Sequence, residues 1–305
     1  MTATGHLSDG GLSGRDWVAA LPADMTGQQA ILGRLLDLCD ADESIRWLSI
    51  ACSVSRGAGD GLSDLDIGIG VRAADGEFDA ACEHVHRAVD GLGELVESFA
   101  HQLPRVPFPH VRIFAQYADR CQIDLVVAPA AAEFGKIPHV VTLYDPDGTA
   151  PPRAGDDEPP TPAQVREWAF LGWSALADLG KYLRRGSLWE AYGRLGAARD
   201  QAFAVQAAAG RVPQAQYGLT SILDFAPATL EAEMAETVAG LDLAAILAAA
   251  RRLARLLEAA GGRLDPARRA AFPAAMGRFI RADLDGLAAQ WAAAGGPHMG
   301  APARA

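Results

Sequence analysis

The chain has 305 residues, half of them hydrophobic and 21% charged, which suffices for two cores of ordinary size and is far too apolar for a disordered chain. Its formal charge of −11 excludes a protein that coats nucleic acid or an anionic membrane by bulk attraction. Residues 1–150 carry 10 Lys and Arg against 22 Asp and Glu, and residues 151–305 carry 17 against 16, so the excess carboxylate lies in the first half.

In chain order, residues 1–26 read as an N-terminal extension. A helix is expected over 27–41, from its apolar spacing. Strands follow at 46–53 and 64–71, joined by a Gly-rich loop, then a helix at 78–93. Three more strands are expected at 110–117, 121–129 and 139–148, the first two forming a hairpin that turns near Asp119. The predicted fold class is therefore α+β for residues 27–148: a mixed sheet covered on one face by helices. The run DPDGTAPPRAGDDEPPTP holds six prolines and makes 149–162 a linker. Beyond it, 163–294 reads as an all-α helical bundle, with helices near 163–185, 187–210, 227–239, 241–260 and 265–294 and breaks at Gly186, Pro213, Gly240 and Gly261–Gly262. Residues 295–305 form a tail.

Cys39, Cys52, Cys82 and Cys121 lie far apart without a CxxC pair, which argues against a zinc ribbon or a disulfide framework. The first residues lack a basic stretch followed by an apolar run, and no apolar run reaches the roughly 18 residues that a bilayer requires. The expectation is a cytoplasmic protein, a monomer or homodimer, with neither DNA nor membrane as partner.

The segment Ser53–Asp66, SVSRGAGDGLSDLD, carries the chemistry. Alternation along a strand puts Asp64 and Asp66 on one face, about 7 Å apart, with Leu65, Ile67 and Ile69 on the other. Two carboxylates on one face of a strand built for burial repel each other unless a cation or proton offsets the charge, and Mg²⁺ takes such oxygen ligands. Asp124 interrupts the apolar run of 121–129 on the face opposite Ile123, Leu125 and Val127. If the two strands are neighbours, three carboxylates meet, the number suited to a two-metal phosphoryl-transfer site. Gly57, Gly59 and Gly61 leave the loop sterically open, so that main-chain N–H groups, with Ser53 and Arg56, can approach phosphate oxygens.

The run Ser53-x-x-Arg56-Gly57, then Ser63-Asp64-Leu65-Asp66, resembles the signature of the polymerase-β-like nucleotidyltransferase superfamily, with Cys52 where that family usually has glycine. The aminoglycoside and lincosamide nucleotidyltransferases are the nearest in pattern: Leu143–Gly148 is similar to their strand-end motif, and Leu179–Ala191 with Arg199 to their first bundle helices. The resemblance spans roughly residues 45–200. It implies that Ser53, Arg56, Gly57 and Ser63 hold phosphate, that Asp64 and Asp66 bind two Mg²⁺ ions, and that Asp124 completes the metal site or activates the acceptor. It further implies that Lys181 touches the triphosphate. The implied reaction moves a nucleoside monophosphate, AMP from ATP or that of another NTP, to a hydroxyl of a small and cationic acceptor such as an aminoglycoside. The alternatives are a non-catalytic nucleotidyltransferase-like partner of the antitoxin type and an RNA-end nucleotidyltransferase, the latter disfavoured by the lack of a basic track.

Overall fold

The computed structural model describes residues 12–74, 76–103, 108–137, 139–153, 159–225 and 228–293, and it forms two compact units, 1–156 and 157–305. The first unit opens with α1 (Gly14–Ala19), capped by the Ser13 hydroxyl, and α2 (Thr26–Ala41). Trp17, Val18, Leu21 and Met25 are buried in the core of this unit, so the segment read as an extension is part of the fold from Gly14 onward. β1 (Ile45–Ile50), a single helical turn α3 (Cys52–Ser55), β2 (Leu65–Val71) and α4 (Phe78–Asp90) follow. Then come β3 (Leu95–Gln102), β4 (Val111–Tyr117), β5 (Gln122–Pro129) and β6 (Val141–Tyr144).

The six strands lie in the order β3-β4-β5-β2-β1-β6. β2 pairs parallel with β5, while the β1–β2, β1–β6, β3–β4 and β4–β5 pairs are antiparallel. One face is apolar by simple alternation. Ile67, Ile69, Ile113, Ile123, Leu125 and Val127 point into a core shared with Ile31, Leu32 and Leu35 of α2 and Cys82, Val85 and Val89 of α4. On the other face Trp47 lies across Gly68 and Gly70, where a Cβ on Gly70 would fall 2.0 Å from the indole nitrogen. A bulge between Ile45 and Trp47 aims the indole to that side. All four cysteines are free thiols.

The second unit is all α. α5 (Pro162–Arg184) starts at a capping box between Thr161 and Gln164 with Pro162 in its first turn, and stops at Gly186 with φ +69°. α6 (Leu188–Gly210), a 3₁₀ turn (Ala215–Tyr217), α7 (Leu219–Phe225), α8 (Ala228–Ala235), α9 (Leu243–Arg263), α10 (Pro266–Ala271) and α11 (Ala274–Ala293) complete it. Trp173, Leu176 and Leu179 of α5 pack with Ala198 and Ala202 of α6 and Leu253 and Leu257 of α9, all at 0% exposure. Among the described residues no helix is long and apolar enough to cross a membrane.

Several expected boundaries are corrected. The strand expected over 46–53 stops at Ile50, because the chain turns into α3. The strand expected over 139–148 shrinks to β6, and the helix expected over 227–239 to α8, with α7 unforeseen before it. Gly261–Gly262 does not break α9; the Phe272 ring packs where a Cβ on Gly261 would stand, 2.6 Å away. The helix expected over 265–294 is two helices, because Pro273 cannot continue α10. The 295–305 tail lies outside the described residues.

Candidate active site

β2 starts immediately after Asp64, so the Asp64-Leu65-Asp66 step straddles the end of the central parallel pair, with Leu65 buried, Asp66 half-buried and Asp64 exposed. Asp124 is the direct register partner of Asp66 on β5. The expected adjacency of the two acid-bearing strands is therefore present. Register continues outward: Asp124 faces Phe114 on β4, and Phe114 faces Phe99 on β3. A row of Asp66, Asp124, Phe114 and Phe99 thus crosses the face of the sheet opposite that core.

At the other side of Asp66 lies α3. The Ala51 N–H donates to the Asp66 carbonyl at 2.9 Å, and Cys52 follows with φ +57°, in the left-handed region that glycine tolerates best. The position where the resembled family has glycine thus demands a glycine-like backbone, and cysteine adopts it under strain. Burial, and then the charge of the Asp66 carboxylate, pushes the Cys52 thiol up to about 12. Ser53 sits half-buried in the same turn, which ends at Arg56 and at Gly57, where φ is +72°. The Ser63 hydroxyl donates to Asp60 Oδ1 at 3.1 Å and accepts from the Asp60 N–H at 3.0 Å, so it braces the loop. Gln28 of α2 holds the same loop through the Ser63 carbonyl.

Asp66 is held above the ordinary carboxylate range, first by burial and then by the charges of Asp64 and Asp124; the Cys52 thiol and Arg112 pull the other way. Asp124 is engaged at both oxygens by Arg112 of β4. Nε donates to Oδ1 at 2.6 Å, and a terminal nitrogen donates to Oδ2. The Arg112 guanidinium also lies 4.8 Å from the centre of the Phe114 ring. Among the described residues no three His, Cys, Asp or Glu side chains converge as a ligand set. The donor chemistry still fits one hard cation, since Asp64 and Asp66 supply carboxylate oxygens whose repulsion a divalent ion would relieve.

A cavity of about 400 Å³ opens beside the acids, with Asp64, Glu97, Phe99, Phe114, Gln122 and Asp124 among its walls. Phe99 and Phe114 are 62% and 38% exposed, unusual for rings on a strand. The sequence reading passed over β3, Arg112 and Phe114. Their signal was available in part: in HVRIFAQY the buried stripe is Val111, Ile113 and Ala115, which leaves Arg112, Phe114 and Gln116 together on the opposite side. Lys181 belongs to the second unit, where it pairs with Asp178 at 2.5 Å and lies 4.8 Å from the centre of the Tyr182 ring.

No protein-family model matches the chain, and no curated protein matches its sequence. Among solved structures, an aminoglycoside 6-adenyltransferase from Bacillus subtilis is similar over 86% of this chain and 98% of its own, with a TM-score of 0.40 and 14% identity.

Proposed function

We propose that this protein is a divalent-metal-dependent nucleotidyltransferase that moves a nucleoside monophosphate from an NTP, ATP foremost, to a hydroxyl of a small acceptor. The observation that carries this reading is the register of Asp66 against Asp124 beside Asp64, at the edge of a cavity with exposed aromatic walls. The acceptor oxygen attacks the α-phosphorus as the bond to the bridging α–β oxygen breaks; pyrophosphate leaves with that electron pair, and the acceptor proton passes to a base or to solvent. Asp64 and Asp66 would hold the metal, which when bound supplies electrostatic stabilisation of the phosphate oxygens.

The remaining work falls to the chain itself. Ser53 and Arg56 bind phosphate beside α3, and Gly57 keeps the loop open there. In-line displacement requires the acceptor to enter opposite the leaving group. With the phosphate loop on one side of Asp66, the acceptor's side is that of Phe114 and Phe99. Rings of that kind cover the C–H faces of a sugar-like ring, and Glu97 attracts an amine, so a hydroxylated, cationic acceptor fits.

Pyrophosphate release, measured with each NTP against aminoglycosides, lincosamides and simple polyols, tests the reading. Asp66→Asn is expected to lower release on the order of 10³-fold or more while the protein stays folded. Undiminished turnover in Asp66→Asn would sink the assignment.

A further inference from the structure

The cation nearest the third acid is already part of the protein. Arg112 takes both oxygens of Asp124, Nε at 2.6 Å from Oδ1 and a terminal nitrogen on Oδ2, and its Cζ lies 4.8 Å from the Phe114 ring centre. A fork fixed at once by a bidentate carboxylate and an aromatic face is ordered in advance of any ligand. The Asp124 side chain is only 15% exposed, so parting it from its cation leaves a poorly solvated charge behind. A two-ion site draws on the third acid as a ligand, and here that acid is committed to a charge that needs no loading. The balance is even as well: three carboxylates, Asp64, Asp66 and Asp124, face three positive charges when one divalent ion joins Arg112.

We infer that Arg112 stands in place of one of the two metal ions, so that this chain works with a single divalent ion on Asp64 and Asp66 and a built-in guanidinium on Asp124. The inference rests on the nucleotidyl-transfer reading above and narrows its metal requirement. Arg112 is then a positioning residue: it fixes Asp124 beside Asp66 and presents a permanent positive charge next to the cavity.

Mn²⁺ binding to the full chain tests this, in the presence of α,β-methylene-ATP, whose α–β linkage cannot be cleaved. Equilibrium dialysis counts the bound ions, and electron paramagnetic resonance separates an isolated ion from a magnetically coupled pair about 3.5–4 Å apart. The native chain is expected to hold one uncoupled ion. Arg112→Gln is expected to take up a second and show coupling, and Asp124→Asn added to that variant returns it to one. A coupled pair in the native chain overturns the inference and leaves the transfer reading standing, whether or not the variants fold. A folded Arg112→Gln that stays at one ion also overturns it. No bound ion in the native chain overturns the transfer reading, and the single-ion inference with it.

Discussion

In the helical unit, Arg184 meets Asp283, Arg251 meets Asp285 and Arg281 meets Glu258, each pair joining two helices near solvent. Even its buried Gln206 is satisfied, donating to the Leu256 carbonyl at 2.9 Å and accepting from Arg263. In the sheet unit Asp64, Asp66 and Asp124 lie near one another, Arg112 forks onto Asp124, and Asp66 is held above its ordinary range. Exposed pairs of the first kind contribute little each, and each offsets the two charges it joins. Repulsion onto a half-buried carboxylate such as Asp66 costs stability unless a cation or proton offsets it. The difference is one of arrangement: the bundle's charges are paired between helices, and the carboxylates at the sheet corner repel one another.

The largest blow to that contrast comes from the bundle's core. Trp173 is fully buried and packs so closely on Gly277 that a Cβ there would fall 2.7 Å from the ring. Trp173→Ala is expected to cost about 3–5 kcal/mol in denaturant unfolding, whereas Asp66→Asn should leave the unfolding midpoint unchanged or higher. A loss of similar size in Asp66→Asn would erase the distinction. A smaller effect separates backbone strain from side-chain chemistry at Cys52. Cys52→Gly and Cys52→Ala both remove the thiol, but only glycine relieves φ +57°, so the glycine variant should be more stable than the alanine variant by about 1 kcal/mol. Equal stabilities would mean that the turn is not strained.

The smallest effect concerns acid. Asp178 is held below the ordinary carboxylate range by the Lys181 ammonium and by Arg194. A depressed folded value means that its contribution is complete above the unfolded carboxylate pKa, near 4, and is lost as the pH falls through the folded value. Asp178→Asn should therefore flatten the dependence of the thermal midpoint on pH below about 4 and leave the slope above pH 5 unchanged. A steeper acid limb in the variant would contradict the assignment.

Strands with one apolar stripe, such as Ile123-Leu125-Val127, were legible, and the same alternation exposed Asp66 and Asp124 as acids in apolar company. β3 was not, because Val96, Glu97, Phe99 and His101 are exposed and little apolar periodicity remains; its strand state comes from pairing with β4. The Arg112 fork lay beyond sequence reading for a related reason. It depends on Phe114 standing opposite Asp124, a register set by the β4–β5 pairing. Gly261–Gly262 misled because local propensity was overridden by the Phe272 ring packed against the helix.

The parallel ladder between β2 and β5 has a consequence for the order in which the molecule comes into being. Asp66 and Asp124 lie 58 residues apart, and the strands that carry them pair directly with everything from α4 to β4 looped out between them. Closing so long a loop is a slow, entropically costly step compared with forming the β4–β5 hairpin or the helices. The pairing of Asp66 with Asp124 is therefore among the last features to form, and a nascent chain released before Asp124 would carry Asp64 and Asp66 without their counterpart on β5.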